Sequence, residues 1–113
     1  MQIAIFDIVI KHGETYCQDA VFRDKKTKEP LDLTGITAKA QVRPSEGSAT
    51  LIADLICDVY PEEGRVQLSL PDTVTAAIDP GFYTWDLKMT DTASGMIAYD
   101  IEGKFIVKGS TTK

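Results

Sequence analysis

The chain has 113 residues, enough to close one hydrophobic core and too few for two, so a single domain is expected. Hydrophobic residues make up 43% and charged residues 26%, with 8 Gly and 5 Pro, a balance that excludes disordered, collagen-like and membrane-spanning chains. Acidic residues outnumber basic ones 17 to 12, and the resulting net charge of -5 repels polyanions, so nucleic-acid binding is not expected.

In chain order, residues 1–7 carry no basic cluster ahead of an apolar run, and Asp7 interrupts that run. Neither a signal peptide nor a membrane span is predicted there, and a reduced cytosolic compartment follows as the expectation. Residues 3–10 and 15–23 are apolar and rich in β-formers, and read as strands. Asp7, between Phe6 and Ile8, reads as an edge-strand acid that discourages aggregation. His12 falls in the Lys11-His12-Gly13-Glu14 hairpin tip. Cys17 and Cys57 belong to no CxxC or Cys/His cluster, and are expected as buried free thiols.

A polar stretch from Asp24 to Pro30 follows, holding the densest basic group of the chain: Arg23, Lys25, Lys26 and Lys28. Asp24 and Glu29 dilute it, so the tip reads as a solvated hairpin that could dock onto an acidic neighbour. Asp32-Leu33-Thr34-Gly35 has the chemistry of a turn leading into a strand: a side-chain oxygen for nearby backbone N–H groups, then Gly35 free to take positive φ. From Ile36 a two-residue rhythm begins, with Ile36, Ala38, Ala40 and Val42 on one face and Thr37, Lys39, Gln41 and Arg43 on the other. It recurs in Leu51 to Cys57, Val66 to Leu70, Tyr83 to Met89, and Ile97 to Ile101 continuing to Val107. Turns at 44–47, 61–64 and 91–95 separate these segments. Residues 71–78 break the rhythm and read as one helical turn, capped by Asp or Thr and stopped by Asp79-Pro80-Gly81. The last residues, 109–113, have nothing apolar to bury and read as a flexible tail behind a domain of residues 1–108.

Ile, Val, Thr and the aromatics total 39 residues against 20 for Ala, Leu and Met, which also favours strands. The pattern predicts an all-β domain: an immunoglobulin-like or related two-sheet antiparallel sandwich of about seven strands with one short helical turn.

Signals of catalysis are sparse. No nucleophile elbow, P-loop or dinucleotide fingerprint occurs, His12 has no triad context, and Glu62, Glu63, Asp54 and Asp58 lack calcium-loop spacing. No catalytic residue, cofactor or metal is expected. Trp85, Tyr83 and Tyr99 raise the alternative of a sugar-stacking adhesion module, although all three fall in phase with core positions. A small hydrolase using His12 or paired carboxylates is a third reading.

Asp79-Pro80-Gly81-Phe82-Tyr83 resembles the D-x-G-x-Y corner of immunoglobulin-like sandwiches, in which Gly81 would permit the sharp approach and the Tyr83 hydroxyl would tie back to upstream backbone. Trp85 stands where the antibody-type cysteine would be, so an antibody domain is excluded. A second likeness runs from about residue 20 to 107. Phe22-Arg23-Asp24 with Glu29 to Arg43, then Leu70-Pro71 with Thr75 to Ile78, Gly81 to Leu87, and Ile101 to Val107 resemble, in order, stations of small phage and prophage tail or baseplate proteins, akin to the N-terminal module of upper baseplate proteins. That resemblance implies a non-catalytic structural or adaptor part with other tail proteins, or further copies of itself, as partners. It places the chain in the host bacterial cytoplasm during assembly and in the virion thereafter. The chain departs from these relatives in carrying Lys25-Lys26-Thr27-Lys28 where a turn glycine is usual.

Overall fold

The computed structural model describes residues 2–45 and 47–109, with the backbone alone at 2–4, 98 and 99. Among the described residues eight strands form: β1 (Gln2–Ile5), β2 (Ile8–Lys11), β3 (Tyr16–Val21), β4 (Ile36–Arg43), β5 (Ala53–Tyr60), β6 (Arg65–Leu70), β7 (Gly81–Asp91) and β8 (Ile97–Lys108). The five alternating segments coincide with β4 to β8, because each offers one apolar face that must leave water. A 3-10 turn at Pro61–Glu63 and a helical turn α1 (Asp72–Ala76) are the other regular elements among the described residues.

The strands make an all-β sandwich. One sheet runs β1/β2–β8–β7–β4–β5 and the other β5–β6–β3. β5 belongs to both: Ala53–Leu55 pair with β4, and Ile56–Tyr60 pair with β6. Pairing is antiparallel except at the amino-terminal edge, where β1 and β2 both run parallel to β8. The sheet is therefore mixed, a departure from the all-antiparallel expectation. Alternating hydrophobicity fixes which face a strand buries but is silent on its direction.

The inner faces meet in a core that includes Val42, Trp85, Leu87, Met89, Phe105 and Val107 from the larger sheet and Val66, Leu68 and Leu70 from the smaller. Each large side chain buried there is worth roughly 1.5–3 kcal/mol. Leu33 and Ile78, from the connections, close its ends at 1% and 4% exposure. The 32–35 turn forms through Asp32 Oδ1, which accepts Thr34 N–H at 2.9 Å and the Thr34 hydroxyl at 2.6 Å, while Gly35 takes φ +78°. Its carbonyl accepts both the N–H and the hydroxyl of Thr92, tying this turn to the β7–β8 hairpin.

α1 carries the chain from the small sheet to the large one. Its N-cap is Pro71 and no side chain caps it, contrary to the Asp-or-Thr expectation. Thr75 is instead fully buried and donates its hydroxyl to the Glu14 carbonyl at 2.7 Å, so it fastens the turn to the β2–β3 connection. Of the expected tail, residues 110–113 lie outside the described residues.

Candidate interaction surfaces

The amino-terminal edge is organised by one backbone crossing. The predicted strand over 3–10 is two strands because the chain leaves the ladder at Phe6-Asp7, crossing over the face of Gly103, and rejoins the same edge of β8 in the same register. Phe6 N–H donates to the Glu102 carbonyl, Asp7 Oδ1 accepts the Lys104 N–H at 2.9 Å, and between them lies Gly103. A Cβ on Gly103 would fall within the Phe6 carbonyl oxygen and 2.9 Å from Asp7 Oδ1, so only glycine fits. The same Phe6 carbonyl accepts the Trp85 indole N–H at 2.8 Å from below. Asp7 therefore continues a broken ladder with its side chain, a role its edge-acid reading did not foresee.

Tyr83 sits half-buried at the β7 corner and donates its hydroxyl to the Asp79 carbonyl at 2.6 Å. Gly81 does not take positive φ, and a Cβ there would make only ordinary contact with the Tyr83 ring, so the expected conformational need for glycine is not what holds this corner. Trp85 is 3% exposed and its polar edge is occupied, so Trp85 and Tyr83 form no stacking platform; the Tyr99 side chain lies outside the described residues. His12 lies in the β2–β3 turn, its N–H on the Lys108 carbonyl. Among the described residues no group of three or more His, Cys, Asp or Glu side chains could hold a metal ion, and no helix is long and apolar enough to cross a membrane.

The basic loop is a preorganised hairpin tip. Asp24 Oδ1 accepts the N–H groups of Lys26 (2.8 Å) and Thr27 (3.0 Å), which hold its carboxyl below the usual aspartate range. Lys28 stands at φ +65°, the conformation a glycine would adopt without strain. Arg23 bends back, donating to the Lys28 carbonyl at 3.1 Å, so it braces the tip and leaves Lys25, Lys26 and Lys28 as its exposed ammoniums. Gly64 supports the base of this loop: a Cβ there would come within 3 Å of the Phe22 and Leu31 backbones.

The outer face of the large sheet forms an open groove of about 860 Å³, with Lys39, Arg43, Asp86, Lys88, Glu102 and Lys104 among its lining. Strand register sorts these charges into rows. Arg43, Thr84 and Lys104 lie abreast, next Gln41, Asp86 and Glu102, then Lys39, Lys88 and Asp100. Burial pushes the Asp86 carboxyl up, opposed by Lys88, whose Nζ is 4.0 Å from Oδ2. Asp100 Oδ1 is buried and has no hydrogen-bond partner among the described residues. A second, apolar slot of about 230 Å³ opens between β1 and β3, lined by Phe6, Tyr16, Phe22, Leu68 and Ile101 among others. Burial there raises the Tyr16 phenol to about 12.

Both cysteines are free, but Cys17 is exposed on the outer side of β3, which corrects its expected burial. Its neighbours Tyr16 and Ala20 take the inward positions of that strand. Cys57 is half-buried, and desolvation raises its thiol to about 11.

The charged side chains described above are spread over rows and a hairpin tip. Compared by sequence, the chain matches no protein-family model and no curated protein. Compared by structure, it is similar to solved β-domains. The N-terminal domain of phage TP901-1 ORF48 aligns over 96% of this chain and 99% of that domain, with a TM-score of 0.52 and 10% identity. The NK cell receptor Nkp44 aligns over 96% of this chain and 100% of that one, with a TM-score of 0.53 and 9% identity. InlP of Listeria monocytogenes aligns at 15% identity and a TM-score of 0.49 over 95% of this chain, which spans only 27% of InlP. At these identities the likeness is one of fold.

Proposed function

We propose that this domain is a non-catalytic structural or adaptor component of a phage or prophage tail or baseplate, acting through association with other tail proteins or with further copies of itself. The observation that carries the reading is the end-to-end likeness in fold to the phage TP901-1 ORF48 N-terminal domain, which joins the ordered tail-protein stations in the sequence. Physical features agree with it. Charged rows, a braced basic tip and an open apolar slot offer surfaces to neighbours, and repeated modest contacts become strong in a symmetric assembly. On this reading the protein works in the host bacterial cytoplasm during assembly and then in the virion, without cofactor, nucleic acid or membrane.

The test is co-expression with the products of the adjacent reading frames, followed by size-exclusion chromatography with light scattering. A complex of fixed stoichiometry with a tail or baseplate product is the expected result. Adjacent genes of metabolism, or turnover of a small molecule abolished by one side-chain change, would overturn it.

A further inference from the structure

Phe82 is the anomaly of the outer face: an aromatic side chain 80% exposed near the start of a paired strand. It does not stand alone. Register sets Phe82 on β7 opposite Ile106 on β8, and Ile106 opposite Val9 on β2, itself 52% exposed. Three adjacent strands thus present one apolar row on the outer side of the large sheet, beyond the polar groove. Cations border it on both sides. Lys11 and Lys108 are paired one step outward, two residues from Val9 and Ile106, while Lys104, Thr84 and Arg43 lie abreast one step inward. Each step is about 7 Å along the strands. Lys11, Lys104 and Lys108 are exposed and form no ion pair among the described residues, whereas Arg43 is held by the Ser48 carbonyl and Gln41. The acids at the border are Asp7, whose Oδ1 holds the Lys104 N–H, Asp79, in the corner before β7, and Glu14, in the turn that closes on Lys11. Four cations against three carboxylates leave the surroundings weakly positive in a chain of net charge -5.

We infer that the Val9–Ile106–Phe82 row is a docking site for a partner-protein segment that is apolar at its centre and acidic at its flanks. The apolar centre covers Phe82, and the flanking carboxylates meet Lys11 and Lys108 on one side and Lys104 on the other. An anionic membrane would also seek cations beside an aromatic. A plane, however, would bring its charge onto the Asp86 and Glu102 row one step further in, and the whole chain is acidic. A segment narrow enough to touch only the apolar row and its borders avoids that repulsion. The inference rests on the association reading above and adds the surface and the partner's chemistry.

The test is selection of a random peptide display library on the intact chain, with the selected peptides mapped by chemical-shift perturbation. Peptides with aromatic or aliphatic centres flanked by Asp or Glu are expected, perturbing Val9, Phe82 and Ile106. Phe82→Ser should weaken them roughly tenfold or more, and Lys11→Glu with Lys108→Glu should weaken them and reduce the salt dependence. Both changes are on exposed side chains, and an unchanged melting midpoint verifies the fold; Val9→Lys supplies an independent block of the same row. Lysine-flanked peptides binding equally well would overturn the inference. So would co-sedimentation with phosphatidylglycerol vesicles, or self-association, that Phe82→Ser abolishes, since either names a different occupant. Peptides that map to the basic tip or the apolar slot would remove this surface while leaving the association reading intact.

Discussion

The crossing at Phe6-Asp7 and the tip at residues 24–28 solve a similar problem with opposite tolerances. In each, an aspartate carboxylate accepts backbone N–H groups where strand pairing is interrupted: Asp7 from Lys104, and Asp24 from Lys26 and Thr27. At the crossing a glycine is obligatory, because the Phe6 backbone lies where a Cβ of Gly103 would be. At the tip a lysine holds φ +65° in open solvent. Glycine is thus demanded by shortage of room in one place and dispensable in the other, where the cost is only torsional.

The contrast can be broken most severely at Gly103. Gly103→Ala is expected to cost at least about 3 kcal/mol, read as a lowered urea midpoint, or to strip β1 from β8, read as faster amide exchange at 2–6. An undiminished midpoint would mean that Phe6 has another path past β8. Trp85→Phe comes next. It keeps most of the apolar volume but removes the donor to the Phe6 carbonyl, and about 1–3 kcal/mol should be lost. Asp7→Ala leaves the Lys104 N–H without its acceptor at an exposed site, and about 1 kcal/mol is expected, localised by exchange at Lys104. Lys28→Gly should go the other way. It relieves the left-handed strain and gains up to about 1 kcal/mol, partly offset by the greater freedom of glycine in the unfolded chain.

The smallest effect is one of pH. The Asp24 carboxyl lies below its ordinary value of 3.8 in the folded chain, so its contribution is present above that value and fades as pH falls through the folded one. Because the group is fully exposed, loosening should be confined to the tip. Proton exchange at Lys26 and Thr27 below pH 3.8, with the global unfolding midpoint unchanged by Asp24→Asn, is the measurement.

Much of this architecture was legible as pattern. Val42, Leu68, Leu87 and Phe105 declare their burial through alternation, and Asp32-Leu33-Thr34-Gly35 declares its turn through the atoms it carries. What escaped were relations between distant segments. Nothing local to Gly103 reports that Phe6 crosses it, because the constraint comes from a strand nearly a hundred residues away in sequence. The parallel direction of β1 and β2 escaped for the same reason. Phe82 was legible only as part of a Gly-Phe-Tyr corner; its exposure follows from falling out of phase with Tyr83 and Trp85, and its company with Val9 and Ile106 from a register that no single segment encodes. Arg23 was grouped with the lysines by charge, although its planar fork suits it to bracing a carbonyl.

The parallel pairing of β1 and β2 with β8 also bears on how the molecule is made. β1 and β2 are synthesised nearly a hundred residues ahead of the β8 positions they pair with, so in the emerging polypeptide they stay without their hydrogen-bonding mates while the strands between are made. A topology weighted toward such remote encounters folds slowly and leaves sticky intermediates in a crowded cell. In the nascent molecule, the seam along β8 can close only after β2 through β7 have been made.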